Sequence, residues 1–193
     1  MKSNFRVQTP VRNCIKKYVS YNCFKPYLAK DFNYRCGYTD SPDFWFGGKS
    51  NFHIDHFIPW KNHPDIPNLK TDYNNLVYCC SFVNILKSND ETDYLDPCNH
   101  DYNKHFYRNV HGEIKPNPQS KTAIYMYNKL KLYMQRYQLI WMLDNLFNKL
   151  ELLSIAIENT IDKEKKDDLK STMCELVPIV IEYKKYLSDS QKI

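Results

Sequence analysis

Two short apolar runs, separated by a polar stretch rich in proline and followed at once by an amphipathic run, constrain this chain more than any other feature. Residues 51–58 mix aromatic and β-branched side chains with polar ones and end at Pro59, which suits a strand. Residues 60–74 hold Pro64, Pro67 and many polar side chains and read as a loop. Leu76-Val77-Tyr78-Cys79 is the returning strand. Ser81 can cap a helix that runs to about Ser88 and carries Val83, Leu86 and Lys87. The order strand, loop, strand, helix predicts a small α+β core with its centre at residues 51–88.

The flanks are simpler. Residues 1–13 carry Lys2, Arg6 and Arg12 without a helical period and read as an extended, partly mobile arm. Tyr27, Leu28 and Phe32 share a helix face behind Pro26, predicting a short helix over 26–33. Residues 35–42 form a turn by composition. Residues 89–120 are polar, with turns at Asp96-Pro97 and His111-Gly112 and local packing around Phe106 and Tyr107. From Lys121 the pattern changes. Ile124, Tyr127, Leu130, Tyr137 and Trp141 recur at helical spacing in a run without Pro or Gly that reaches about Thr160. A charged turn (161–168) and a second helix (169–187, bent at Pro178) follow. A length of 193 residues accommodates this as two regions, 1–118 and a helical appendage over 119–193.

The formal charge is +5, which permits a polyanionic partner without requiring one. Seven cysteines, an odd number at irregular spacing with no apolar leader before them, read as reduced thiols of a cytoplasmic protein. No stretch approaches the ~20 apolar residues of a membrane span, so no membrane partner is expected.

The chemistry concentrates in the central stretch. Asp55 offers a hard anionic oxygen and Asn84 a neutral one, a pair suited to Mg²⁺ or Mn²⁺. His56 directly follows Asp55, and with an intrinsic pKa near ~6.5 it is available as a general base. Asn75, on the facing strand, is placed to orient that histidine. Lys87 follows Asn84 on one helix face and is placed to meet a phosphate. His53 shares a strand face with Asp55 and is a candidate further ligand or phosphate contact, or a supporting histidine. An acid next to a histidine also suits a purely structural hydrogen-bonded pair. His63 lies in a polar loop and is given no role, and the irregular spacing of His100, His105 and His111 argues for surface or packing roles over metal binding.

Asp55-His56-Phe57-Ile58-Pro59, Asn75-Leu76 through Cys80, and Asn84 through Lys87 resemble, in order and spacing, the ββα-metal (His-Me finger) core of HNH endonucleases. The resemblance covers about 35 residues. It implies metal-dependent hydrolysis of phosphodiesters, with double-stranded DNA the expected substrate, Asp55 and Asn84 as metal ligands and His56 as base. Asparagine at position 84 resembles the Asp-His-Asn nickase domain of RNA-guided CRISPR nucleases and favours Mg²⁺. Many HNH proteins also carry zinc on two Cys-x-x-Cys pairs. Here these read Cys36-Gly-Tyr-Thr39 and Cys80-Ser-Phe-Val83, each with one cysteine, so no structural zinc is expected and the two thiols should lie together. The later segments around Leu95–Cys98 and His105-Phe106 resemble HNH effectors of bacterial anti-phage defence systems. The alternative reading is a catalytically silent HNH-fold module that binds nucleic acid or a partner.

Without zinc, so small a core needs another brace. The apolar face carrying Ile124, Tyr127, Leu130, Tyr137 and Trp141 is expected to pack partly on that core and partly on a second helix or subunit. The same helices would receive a regulatory protein or a second copy of the chain.

Overall fold

The computed structural model describes residues 2–190 and shows a mixed α+β chain with two small sheets and five α-helices among those residues. It divides into two compact units, one of residues 2–110 with 114–133, the other of residues 111–113 with 134–190.

The first unit begins with a short strand, β1 (Ser3–Asn4). The expected mobile arm is instead built into the fold. Phe5 and Arg6 are buried, and Phe5 packs on Tyr102 and Phe106. The Arg6 guanidinium donates to the carbonyls of Gly37 (2.7 Å) and Pro97 (3.4 Å) and lies over the Tyr102 ring. Arg12 donates through Nε to the Leu76 carbonyl at 2.9 Å and pairs with Asp96 at 3.0 Å. Buried guanidinium groups need such partners, and only the folded chain supplies them.

Helix α1 (Lys25–Asp31) has Pro26 in its first turn; of the face the spacing predicts, Leu28 and Phe32 are buried and Tyr27 is half-buried, and Ala29 is buried as well. Strand β2 (Phe52–His56) and strand β3 (Leu76–Cys80) form an antiparallel pair in which Asp55 faces Val77 and His53 faces Cys79. Every residue of β3 is buried, which explains its unbroken apolar run. Helix α2 (Ser81–Lys87) follows directly. The turn before β2 is tied to β3 by the Gly37 N–H, which donates to the Tyr78 carbonyl at 2.8 Å.

Two further strands, β4 (Phe106–Arg108) and β5 (Ile114–Pro116), complete a sheet in the order β1-β4-β5. Sequence reading assigns them to irregular chain, because three residues are too few to show a period. Gly112, at φ 79°, turns the chain between them.

The expected continuous helix from Lys121 is broken. Helix α3 (Lys121–Lys129) stops, the chain turns over 130–134 with Lys131 at φ 50°, and α4 (Gln135–Asn159) begins. Leu130 and Leu132 are both buried. Two residues apart on a helix they would face nearly opposite sides, so burying both requires the turn. Since neither Gly nor Pro marks the break, periodicity runs through it.

Helix α3 packs inside the first unit through Ala123 and Met126, with Ile124 exposed. The Met126 sulfur accepts from the Leu95 N–H at 3.2 Å, and Thr122 donates to Asp93 at 2.8 Å. Asp90 collects Thr92, Tyr94 and Tyr125 hydroxyls and the Lys129 ammonium. The face inside this unit is therefore Ala123, Met126 and Leu130. Tyr137 and Trp141, expected to continue it, belong to the second unit.

That unit is a helical hairpin of α4 and α5 (Lys163–Ser190). The charged stretch expected as a turn is helical from Lys163, because the Asp162 side chain accepts the Lys165 N–H at 3.0 Å and starts the helix early. Pro178 lies inside α5, where it removes one backbone donor. No described helix is long and apolar enough to cross a membrane.

Candidate functional site

The pairing of β2 with β3 and the placement of α2 bring Asp55, His56 and Asn84 to one cleft of about 360 Å³. Its other walls include Tyr21, Ile54, Trp60, Lys61 and Lys70. Alternation on β2 puts His53 and Asp55 on one side of the strand, and α2 answers each in turn. Asn84, at the middle of that helix, meets His53. Lys87, one turn later, meets Asp55.

Asp55 is buried. Its Oδ2 accepts the Tyr38 hydroxyl at 2.6 Å, and the Lys87 ammonium stands 3.2 Å from both carboxylate oxygens. Burial pushes the Asp55 carboxyl above its ordinary range, against the pull of Lys87 and the Tyr38 hydrogen bond. Lys87 is fully buried and also donates to the carbonyls of His56 (3.0 Å) and Phe57 (3.1 Å). An ammonium has three donors, and all three are used. The expectation that Lys87 meets a phosphate therefore fails: it holds Asp55 and the end of β2 in place.

His56 is half-buried between aromatic rings. Tyr21 meets it edge-on at 4.8 Å between centroids and Trp60 at 6.4 Å. Its Nε2 stands 2.9 Å from the Lys70 carbonyl. A carbonyl can only accept, so Nε2 carries the proton and Nδ1 keeps a free lone pair. Desolvation lowers the pKa of His56, opposed by that hydrogen bond, with the charges of Lys87 and Lys70 lowering it further, so the neutral imidazole prevails at neutral pH.

Asn75 does not touch the His56 ring, contrary to expectation. Its Oδ1 accepts the Ile58 N–H at 2.8 Å, while Nδ2 donates to the Ile58 carbonyl at 2.9 Å and the Leu69 carbonyl at 3.2 Å. It clamps both ends of the loop between the strands. Because Lys70 follows Leu69, the same clamp steadies the carbonyl that orients His56, so Asn75 acts on the histidine through the backbone.

The Asn84 amide nitrogen donates to His53 Nδ1 at 3.2 Å. Its Oδ1 takes no hydrogen bond among the described residues. This oxygen and the Asp55 carboxylate are the hard-oxygen groups lining the cleft, and they are the ones that could take part in holding a Mg²⁺ or Mn²⁺. Among the described residues no three His, Cys, Asp or Glu side chains cluster together.

Cys36 and Cys80 lie together, sulfur to sulfur at 3.9 Å, and the Cys80 N–H reaches the Cys36 sulfur at 3.4 Å. His63 sits away from this cleft, against Glu91 at 2.8 Å, and His105 against Ser120 at 2.8 Å. Sequence reading missed Tyr21, Trp60 and Lys70. Nothing local distinguishes a loop aromatic or lysine that lines a cleft from one that does not.

No protein-family model, no curated protein and no solved structure matches this chain.

Proposed function

We propose that this protein is a metal-dependent endonuclease of HNH type that hydrolyses phosphodiester bonds in DNA, with each site cutting one strand. The observation that carries the reading is the state of His56. Its Nε2–H is held by the Lys70 carbonyl and its Nδ1 is free, on the same cleft as the oxygens of Asp55 and Asn84. Such a histidine accepts a proton from an attacking water through Nδ1. Asp55 and Asn84 would hold a divalent cation, which supplies charge neutralisation of the scissile phosphate and of the leaving oxygen when bound. Lys87 and Tyr38 position Asp55, and Asn75 positions the loop that orients the base. The resemblance to HNH effectors of bacterial defence systems extends the proposal to a restriction-type role.

One observation favours a second reading. Lys87 and Tyr38 already engage the Asp55 carboxylate, as in a structural ion pair, which would suit an HNH-like fold that binds nucleic acid or a protein without cutting. Nicking of supercoiled plasmid by the pure protein separates the two. The endonuclease reading expects cleavage that requires Mg²⁺ or Mn²⁺ and falls by ~10²–10⁴-fold in His56→Ala, the usual cost of losing a general base. Cleavage unchanged in a folded His56→Ala preparation refutes it, and absence of metal-dependent cleavage by the parent chain favours the binding module.

A further inference from the structure

We infer that Lys70 is the phosphate-binding residue of this cleft, held in place by Trp60, and that it grips the polynucleotide backbone without reading sequence. The inference rests on the nucleic-acid reading above and names the contact that reading lacks. Lys87 has no donor left for a ligand. A cleft that takes a phosphodiester still needs a cation facing solvent, and Lys61 and Lys70 are the lysines on its wall.

Both are exposed, and neither ammonium has a hydrogen bond or ion pair among the described residues. They are ordered by something else. The Lys70 Nζ stands 4.6 Å from the centroid of the Trp60 ring and the Lys61 Nζ 5.9 Å. The indole face attracts a cation without using its N–H donors. Lys70, the closer of the two, is thus held over the cleft with three donors free, whereas an ordinary surface lysine would sample many rotamers.

The backbone of Lys70 adds a second constraint. Its carbonyl is the group that accepts the His56 Nε2–H. One residue therefore ties the position of a bound phosphate to that of the base. Asn75 strengthens the tie, because its bond to the Leu69 carbonyl fixes the preceding residue. A substitution that keeps the Lys70 backbone should leave His56 in its tautomer and remove only the phosphate contact. A lone ammonium on a phosphate carries no sequence information, so its effect should be uniform across sequences.

The test is binding by the full chain in EDTA, where cleavage cannot intervene. Fluorescence anisotropy of labelled duplex and single-stranded oligonucleotides of unrelated sequence is followed across a salt series. Lys70→Gln should weaken binding to every sequence alike and reduce the slope of log K against log salt by ~0.9 for duplex or ~0.7 for single strands, the value for one phosphate contact. Trp60→Leu should also weaken binding, and the double variant should bind no worse than Lys70→Gln, because Trp60 acts through Lys70. Unchanged affinity and slope in Lys70→Gln overturn the assignment, as does a parent chain without affinity for either oligonucleotide. A double variant weaker than Lys70→Gln overturns the positioning role of Trp60. If the parent nicks plasmid while Lys70→Gln binds normally, this inference alone fails. If binding behaves as expected without nicking in Mg²⁺, the phosphate site stands and the catalytic reading fails.

Discussion

Replacing Lys87 with methionine keeps the length and apolar stem of the side chain and removes its ammonium. The variant strands a buried carboxylate and two carbonyls, those of His56 and Phe57, that lose their donor. Removing one partner of a buried ion pair typically costs ~3–5 kcal/mol. Lys87 is fully buried, so solvent offers no discount. Asp55 has one escape. Burial already pushes its carboxyl upward, and without Lys87 it can take a proton, which places the expected loss near the lower limit, ~3 kcal/mol. For a chain of this size that corresponds to a fall in melting temperature of about 6–12 °C. Urea unfolding followed by far-UV circular dichroism measures it. Two signatures identify the cause. In an Asp55→Asn background the Lys87→Met penalty should shrink, because no carboxylate is stranded. In Lys87→Met alone Asp55 has a folded-state pKa above its unfolded value of ~3.9, so the folded state binds more protons. Its stability should therefore fall as pH rises through and above that value, and the gap to the parent should narrow in acid. A loss below about 1 kcal/mol, or a penalty undiminished beside Asp55→Asn, would refute the reasoning from buried pairing.

The other predictions concern what braces the first unit. Burial opposes the ionisation of Asp90, but hydrogen bonds from Thr92, Tyr125 and Lys129 win and hold its carboxyl well below the usual range. A depressed carboxyl stabilises the folded state above its unfolded pKa of ~3.9 and loses that contribution as pH falls below it, so Asp90→Asn should flatten the acid limb of a stability-versus-pH curve, and an unchanged limb would count against the Asp90 cluster. A fragment ending at Pro118 lacks Met126, Leu130 and Leu132, buried side chains that stabilise by roughly 1.5–3 kcal/mol each. It should melt far below a fragment ending at Tyr133, and equal melting temperatures would show that α3 braces nothing.

Much of the centre was legible because its signals are local. The apolar runs and the alternation in β2, which sends His53 and Asp55 to one side, give the strand, loop, strand, helix order over 51–88 without tertiary information, although β2 ends at His56, before Pro59, and Ser81 is the first residue of α2 while Cys80 stands at its cap. The neighbourhood of Cys36 and Cys80 was also readable, from the resemblance to HNH proteins that carry zinc on two cysteine pairs. What failed was each judgement about what lies opposite. The Arg6 and Arg12 arm looks solvated because its partners, the carbonyls of Gly37, Pro97 and Leu76 and the carboxylate of Asp96, are scattered along the chain. The three-residue strands β4 and β5 have no period to detect.

The site divides in the same way. Residue type and order, together with the HNH resemblance, pointed to a carboxylate, an imidazole and an amide, Asp55, His56 and Asn84, as a group, and the structure has all three lining one cleft. Tertiary structure decided how each is held: Lys87 spends its donors on Asp55 and two carbonyls, Asn75 clamps the backbone instead of the imidazole, and Lys70 orients His56 through a main-chain oxygen that no side-chain pattern encodes. Periodicity along a strand or helix reports which side a residue faces. The partner that uses up its hydrogen bonds is set by chain packing from distant positions, and that is a property of the folded molecule.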